Sequence, residues 1–307
     1  MFRAGAGQHI PMYENDRGLR PVSQGVFMNA MRTFSLGISP CPNDTFIFEA
    51  LANGRIPLPC GFEMFMADVE VLNGRAREGA LDVTKLSIAA MAHAAGRYRL
   101  LRAGGALGRG CGPLLVARPG LSVEDLIHAD VAIPGTMTTA NLLLGLHGGF
   151  RGDRVEMVFD EVMPAVAAGE VPCGVVIHEG RFTYPAFGLD LVLDLGRWWE
   201  GATGMPLPLG AIAIRRDIDD ATALAVEDAI RRSLAHARSH PADGRPYIKA
   251  HAQELADDVI DSHIRTFVND FSMDLGPEGQ SAVSALVAKA AEVAGVALPD
   301  APLFLEG

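Results

Sequence analysis

The chain has 307 residues, of which 49% are hydrophobic and 21% charged, a composition with ample material for a packed core. A formal net charge of −11 excludes the basic face that nucleic-acid binding needs, yet a few local donors could still hold an anionic small molecule. No run approaches the ~20 apolar residues of a membrane span, so neither nucleic acid nor membrane is an expected partner.

Residues 1–30 lack a continuous apolar h-region and show no helical or strand period, so they read as a disordered tail or a start-site artefact rather than a secretory signal. From residue 31 strands and helices alternate. The pattern predicts a strand over 33–38, a turn over 39–43 and a helix over 44–53, with Asn43 or Asp44 as N-cap and Gly54 as stop. A strand over 62–67, a helix from Asp68 to Gly79, a short strand over 82–85 and a small-residue helix over 88–95 follow. Residues 114–118 form a further apolar strand.

A second βα series begins with a strand over 131–133, a loop over 134–138 and a helix over 139–147. Next come a strand over 155–159, a helix over 162–168, a strand over 173–177 and a strand over 191–195. The Pro/Gly-rich segment 204–210 leads back to a strand over 211–214. Beyond Arg216 the period changes to that of amphipathic helices, over 220–237, 244–252, 257–268 and 277–293.

Two βα series joined by two apolar strands, with helices last, predict an α/β two-lobed clamshell. Lobe 1 comprises residues 31–118 and 211–307, and lobe 2 residues 119–210. Cys41, Cys60, Cys111 and Cys173 have no Cys-x-x-Cys spacing and read as reduced thiols in a cytoplasmic protein, with no zinc site and no disulfide frame. His236 and His240 share a helix face, but no third ligand lies nearby and no metal is expected. The sequence leaves the oligomeric state open.

Three loops fall where the lobes of a clamshell face each other. His178 follows the apolar run 173–177, at the strand end where α/β folds place ligands; it is either a base that titrates near neutral pH or a satisfied structural histidine. Ser87 is either the N-cap of the helix that follows or a hydroxyl offered to a carboxylate. Gly135 with Thr138 and Thr139 forms a neutral anion nest, without the Gly-x-x-x-x-Gly-Lys of a nucleotide loop. Asn43 belongs either to the cleft or to a helix cap.

Ser39-Pro40-Cys41-Pro42-Asn43-Asp44-Thr45-Phe46, Thr84-Lys85-Leu86-Ser87, Gly135-x-x-Thr138-Thr139-Ala140 and Ile177-His178-Glu179-x-Arg181-Phe182-Thr183-Tyr184-Pro185, taken together, resemble the 1,4-dihydroxy-6-naphthoate synthases of the futalosine route to menaquinone. Gly104-Gly105-Ala106-Leu107-Gly108-Arg109-Gly110, Leu195-Gly196-x-Trp198-Trp199, Leu207-Pro208-Leu209-Gly210 and His251-Ala252-Gln253-Glu254-Leu255 extend the resemblance from about Met31 to the C-terminus. The resemblance implies a fold similar to type-2 periplasmic solute-binding proteins. It also implies a carbon–carbon lyase that converts cyclic dehypoxanthinyl futalosine into 1,4-dihydroxy-6-naphthoate and dihydroxyacetone, without metal or organic cofactor. The proton acceptor falls on His178, and substrate contacts fall on Lys85, Leu86, Ser87, Thr139 and Ala140. Lys85 and Arg181 either carry charge to the site or only flank it. The competing readings are a carboxylate-binding protein of the same fold without chemistry, and chorismate dehydratase.

Overall fold

The computed structural model describes residues 32–252 and 256–307; the expected tail over 1–30 and residues Gln253, Glu254 and Leu255 lie outside them. Eleven strands occur among the described residues: β1 (Thr33–Ile38), β2 (Gly61–Met66), β3 (Val83–Ser87), β4 (Tyr98–Leu100), β5 (Ala106–Gly108), β6 (Leu114–Ala117), β7 (Val131–Ile133), β8 (Arg154–Glu156), β9 (Cys173–Val176), β10 (Asp190–Asp194) and β11 (Leu207–Arg215). They make two mixed sheets. The first runs β2-β1-β3-β11-β4, with β5 also paired to β11. In it β1 is parallel to β2 and β3, while β11 is antiparallel to β3, β4 and β5. The second runs β10-β6-β9-β7-β8, with β7 parallel to β8 and β9, and β6 antiparallel to β9 and β10.

Period-2 alternation divides the apolar residues among three layers. On β6, Leu115 and Ala117 face a layer shared with β3, β11 and the helices Ile88–Ala94, Thr139–His147 and Gly276–Ala294. Leu114 and Val116 face the outer layer of the second sheet, against Val162 and Val166. Phe34, Leu36 and Ile38 of β1 pack outward with helices Pro42–Ala52 and Asp220–Ser239. The shared layer joins the sheets through apolar contact, so the cleft between them is confined to the strand ends.

The two-lobed α/β architecture is the expected one, but the lobe boundaries are not. The strand Leu114–Ala117, assigned to lobe 1 by the sequence pattern, pairs within the second sheet. β11 already belongs to the first sheet at Leu207. The crossings therefore fall in residues 109–113 and 204–206, where Gly110, Gly112, Pro113, Gly204 and Pro206 interrupt the apolar runs. β4 and β5 went unread because three residues beside Gly96, Gly104 and Gly105 carry too short a period to see. Among the described residues no helix is long and apolar enough to cross a membrane.

At the first crossing the chain runs backbone to backbone against the helix Leu195–Thr203. A Cβ added at Gly112 would lie 2.2 Å from Gly196 Cα and 2.5 Å from Gly196 N, with no flexible side chain to yield. Gly112→Ala should therefore destabilise the protein by about 2 kcal/mol or more through overpacking, read as a lower urea midpoint with an unchanged m-value. Gly110→Ala, where an added Cβ meets nothing within 4 Å but φ is +65°, should cost only about 1 kcal/mol.

Candidate active site

A pocket opens between the two sheets. β3 contributes Lys85 and Ser87, the loop before β6 contributes Cys111, Gly112 and Pro113, and the start of the helix Thr139–His147 contributes Thr138, Thr139 and Ala140. The end of β9 contributes Ile177 and His178, and the start of β11 Leu209 and Gly210. Of the residues expected at the site, Asn43, Lys85, Ser87, Thr139, Ala140 and His178 all line it. Leu86 does not. It is fully buried in the shared apolar layer, because on β3 the side chains at 85 and 87 face one side and those at 84 and 86 the other.

His178 stands one residue beyond Ile177, where β9 has run out, and it is the only described non-glycine residue with positive φ, at +52°. A left-handed backbone at a residue with a side chain costs of order 1–3 kcal/mol and persists only where its surroundings hold it. Here the imidazole is packed edge-on against Phe159 at 5.2 Å and parallel to the His263 ring at 6.1 Å between centroids. Nδ1 lies 3.4 Å from Cys41 Sγ, and Nε2 is shielded from solvent with no protein partner. The half-buried ring thus presents one uncommitted nitrogen.

The anion-binding donors differ from the expected set. Ser87 holds the N-cap position without capping; instead Asn73 donates to its Oγ at 3.1 Å and accepts from its N–H at 2.8 Å, leaving the hydroxyl proton free. Thr139 Oγ1 donates to Leu209 O at 2.8 Å and accepts from Ala89 N at 3.4 Å, so that hydroxyl ties the helix to β11 and is not free for a ligand. The nest at Gly135 is already filled by the protein's own Glu70, whose Oε1 accepts from Met137 N at 2.8 Å and Thr136 Oγ1 at 3.3 Å. Gly135 is required there, since a Cβ would come within 2.5 Å of the Glu70 carboxyl carbon. What remains for an anion on this side is the pair of N–H groups at Thr139 and Ala140, which open a helix and have no intrahelical acceptor.

Asn43 is not a cap. The helix Pro42–Ala52 starts earlier than its pattern suggests, with Pro42 in the first turn and Cys41 at the N-cap position. Asn43 Nδ2 donates to Asp44 Oδ1 at 2.9 Å, so its Oδ1 faces His263 Nε2 at 3.0 Å as an acceptor. Asp44 also accepts from Ser39 N and Oγ and from Lys85 Nζ, the last at 2.5 Å. Lys85 is accordingly paired, and it lines the pocket. Arg181 donates to Gly112 O and to Asp194 Oδ2 at 3.0 Å, pinning the first crossing to the second sheet. Among the described residues no group of three or more His, Cys, Asp or Glu side chains is arranged to hold a metal ion, and all four cysteines are buried and free.

Residues 34–292 match the family described as menaquinone biosynthesis. The chain belongs to that family. A 1,4-dihydroxy-6-naphthoate synthase of Thermus thermophilus is 52% identical over 277 residues, covering 90% of this chain and all of that protein. One of Streptomyces coelicolor is 44% identical over 264 residues, covering 84% of this chain and 93% of that protein. Among solved structures, the periplasmic aliphatic sulphonate binding protein of Escherichia coli superposes with a TM-score of 0.61 at 15% identity, covering 90% of this chain and 94% of that one. The fold is thus that of periplasmic binding proteins.

In this member of the menaquinone biosynthesis family the sequence reading passed over His263. The available signal was its position on the buried face of the helix Asp257–Phe267, in register with Ile260 and Phe267, where a polar group must find a partner. Burial, then the charges of His178 and Lys85, hold its basicity well below the usual histidine range, so it is neutral at pH 7. Its Nδ1 and Glu179 Oε2 face each other at 3.8 Å, both buried and neither hydrogen-bonded. A buried neutral histidine leaves the unfolded chain binding more protons below its pKa of about 6.5, so stability should fall as pH drops from there, with one proton contributing at most about 1.4 kcal/mol per pH unit. His263→Gln, which retains a donor for Asn43 Oδ1, should show a shallower loss between pH 6.5 and 5 in urea unfolding.

Proposed function

We propose that this protein is a 1,4-dihydroxy-6-naphthoate synthase, converting cyclic dehypoxanthinyl futalosine into 1,4-dihydroxy-6-naphthoate and dihydroxyacetone. The observation that carries the reading is His178 on the wall of the pocket, held by a strained backbone with its Nε2 unpartnered, in one lining with uncommitted donors at Ser87, Thr139 and Ala140. The two curated relatives bearing that name support it.

In this reading His178 takes a proton from the bound ring as carbon–carbon and carbon–oxygen bonds break and dihydroxyacetone departs. Formation of the aromatic product drives the step, so the protein supplies proton transfer, orientation and exclusion of water, and no cofactor is called on. A positioned general base contributes typically 10²–10⁴-fold. The apolar walls around the imidazole strengthen each polar contact with the substrate. The substrate carboxylate lies between the Ser87 hydroxyl and the N–H groups of Thr139 and Ala140, within reach of Lys85. Contact with Leu86 is limited to its main chain. A neutral set of donors at a helix start suits an anion in a protein of net charge −11, because it needs no excess of basic side chains.

Incubation of the purified protein with the cyclic substrate should give naphthoate absorbance, and excess chorismate should not compete. Binding without turnover would favour a solute-binding protein. His178→Ala should lower kcat by roughly 10²-fold or more with KM little changed, measured by the same assay, as expected for loss of a base that acts in the transition state. Ser87→Ala should instead raise KM by about tenfold with a smaller effect on kcat, because it leaves a substrate oxygen poorly paired in a closed pocket.

A further inference from the structure

Cys41 sits behind His178 and is not among the residues lining the pocket. Its sulfur is 3.4 Å from His178 Nδ1, the nitrogen opposite the free Nε2. A neutral imidazole carries one proton, so Nε2 can accept the substrate's proton only if Nδ1 holds the ring's own. Nδ1 must then donate to the sulfur.

The surrounding polar groups favour that direction. Burial, reinforced by Glu179, Asp44 and Asp68, pushes the Cys41 thiol well above its usual range, so it is an S–H group at neutral pH. Ser39 Oγ gives its proton to Asp44 Oδ2 at 2.7 Å, and Ser39 N–H bonds the same oxygen at 3.1 Å. The Ser39 hydroxyl proton is therefore committed to Asp44 and is not offered to the Cys41 sulfur. Asp44 accepts and never donates, held by Lys85 at 2.5 Å and Asn43 at 2.9 Å. The serine proton goes to the carboxylate, so the sulfur lone pairs are left to the imidazole N–H.

We propose that Cys41 is a positioning residue that accepts the Nδ1–H of His178 and so keeps Nε2 bare toward the substrate, with Asp44 holding the Ser39 proton away from the sulfur. The reverse order, S–H donating to Nδ1, would put a proton on Nε2 and leave no base in the pocket. The inference rests on His178 being the base.

The test is long-range proton–nitrogen NMR of protein labelled with ¹⁵N-histidine at a pH where His178 is neutral, with His178→Asn used to assign its signals. The wild-type protein should show the Nδ1–H tautomer, a result that needs no Cys41 variant to fold. Cys41→Ala should shift the population toward Nε2–H and lower kcat about tenfold at KM within threefold. Cys41→Ser, which restores an acceptor, should return most of the lost kcat. A wild-type Nε2–H tautomer overturns the inference alone, and so does a folded Cys41→Ala variant that keeps both kcat and the Nδ1–H tautomer. Full turnover in His178→Ala, with the tautomer change still seen in Cys41→Ala, overturns the base reading and with it the role given to Cys41.

Discussion

The ion pair between Lys85 and Asp44 is the constraint on which the site depends. Its atoms are 2.5 Å apart, and the two side chains are 6% and 0% exposed. Removing one partner of such a pair leaves a charge stranded in a poorly solvating interior, at about 3–5 kcal/mol. Asp44 meets this demand by collecting Lys85, Asn43, and both the N–H and hydroxyl of Ser39. Those contacts lock the turn between β1 and the helix Pro42–Ala52 onto the centre of the first sheet. Everything that reaches His178 and His263 from that side is mounted on this turn, Cys41 through its sulfur and Asn43 through its amide oxygen.

The pocket also depends on how the two sheets are fastened. Glu70 grips the loop at Met137, Thr139 bonds Leu209, and Arg181 joins Gly112 to Asp194. Two of these fastenings occupy groups that the sequence pattern offers to a ligand, the Gly135 nest and the Thr139 hydroxyl. The result is a narrower and less charged site than the motif residues suggest: one free hydroxyl, two free N–H groups, a paired ammonium and one imidazole nitrogen. For the proposed reaction this economy suits differential binding, since few interactions remain to stabilise the ground state.

The amino-acid sequence determined the alternation of strands and helices, the two-lobed α/β class and the loops that meet at the cleft. Apolar period, the helix start at Asp68 and stops such as Gly79 are local signals that tertiary contact did not need to correct. It also placed His178 at a strand end, because the run 173–177 can be read without its neighbours. The lobe boundaries were settled only by pairing: Leu114–Ala117 is equally apolar on either sheet, and hydrogen bonds to β9 and β10 decided which one it joins. The direction of Leu86, the diversion of the Thr139 hydroxyl and the filling of the Gly135 nest by Glu70 likewise depend on groups distant in the chain. So does the recruitment of His263, 220 residues from Asn43 along the chain. Local sequence fixes which donors and acceptors a segment carries, but which of them remain free for a substrate is decided by the partners that folding brings within 3 Å or so, since a buried polar group left unpaired costs more than any local preference can supply.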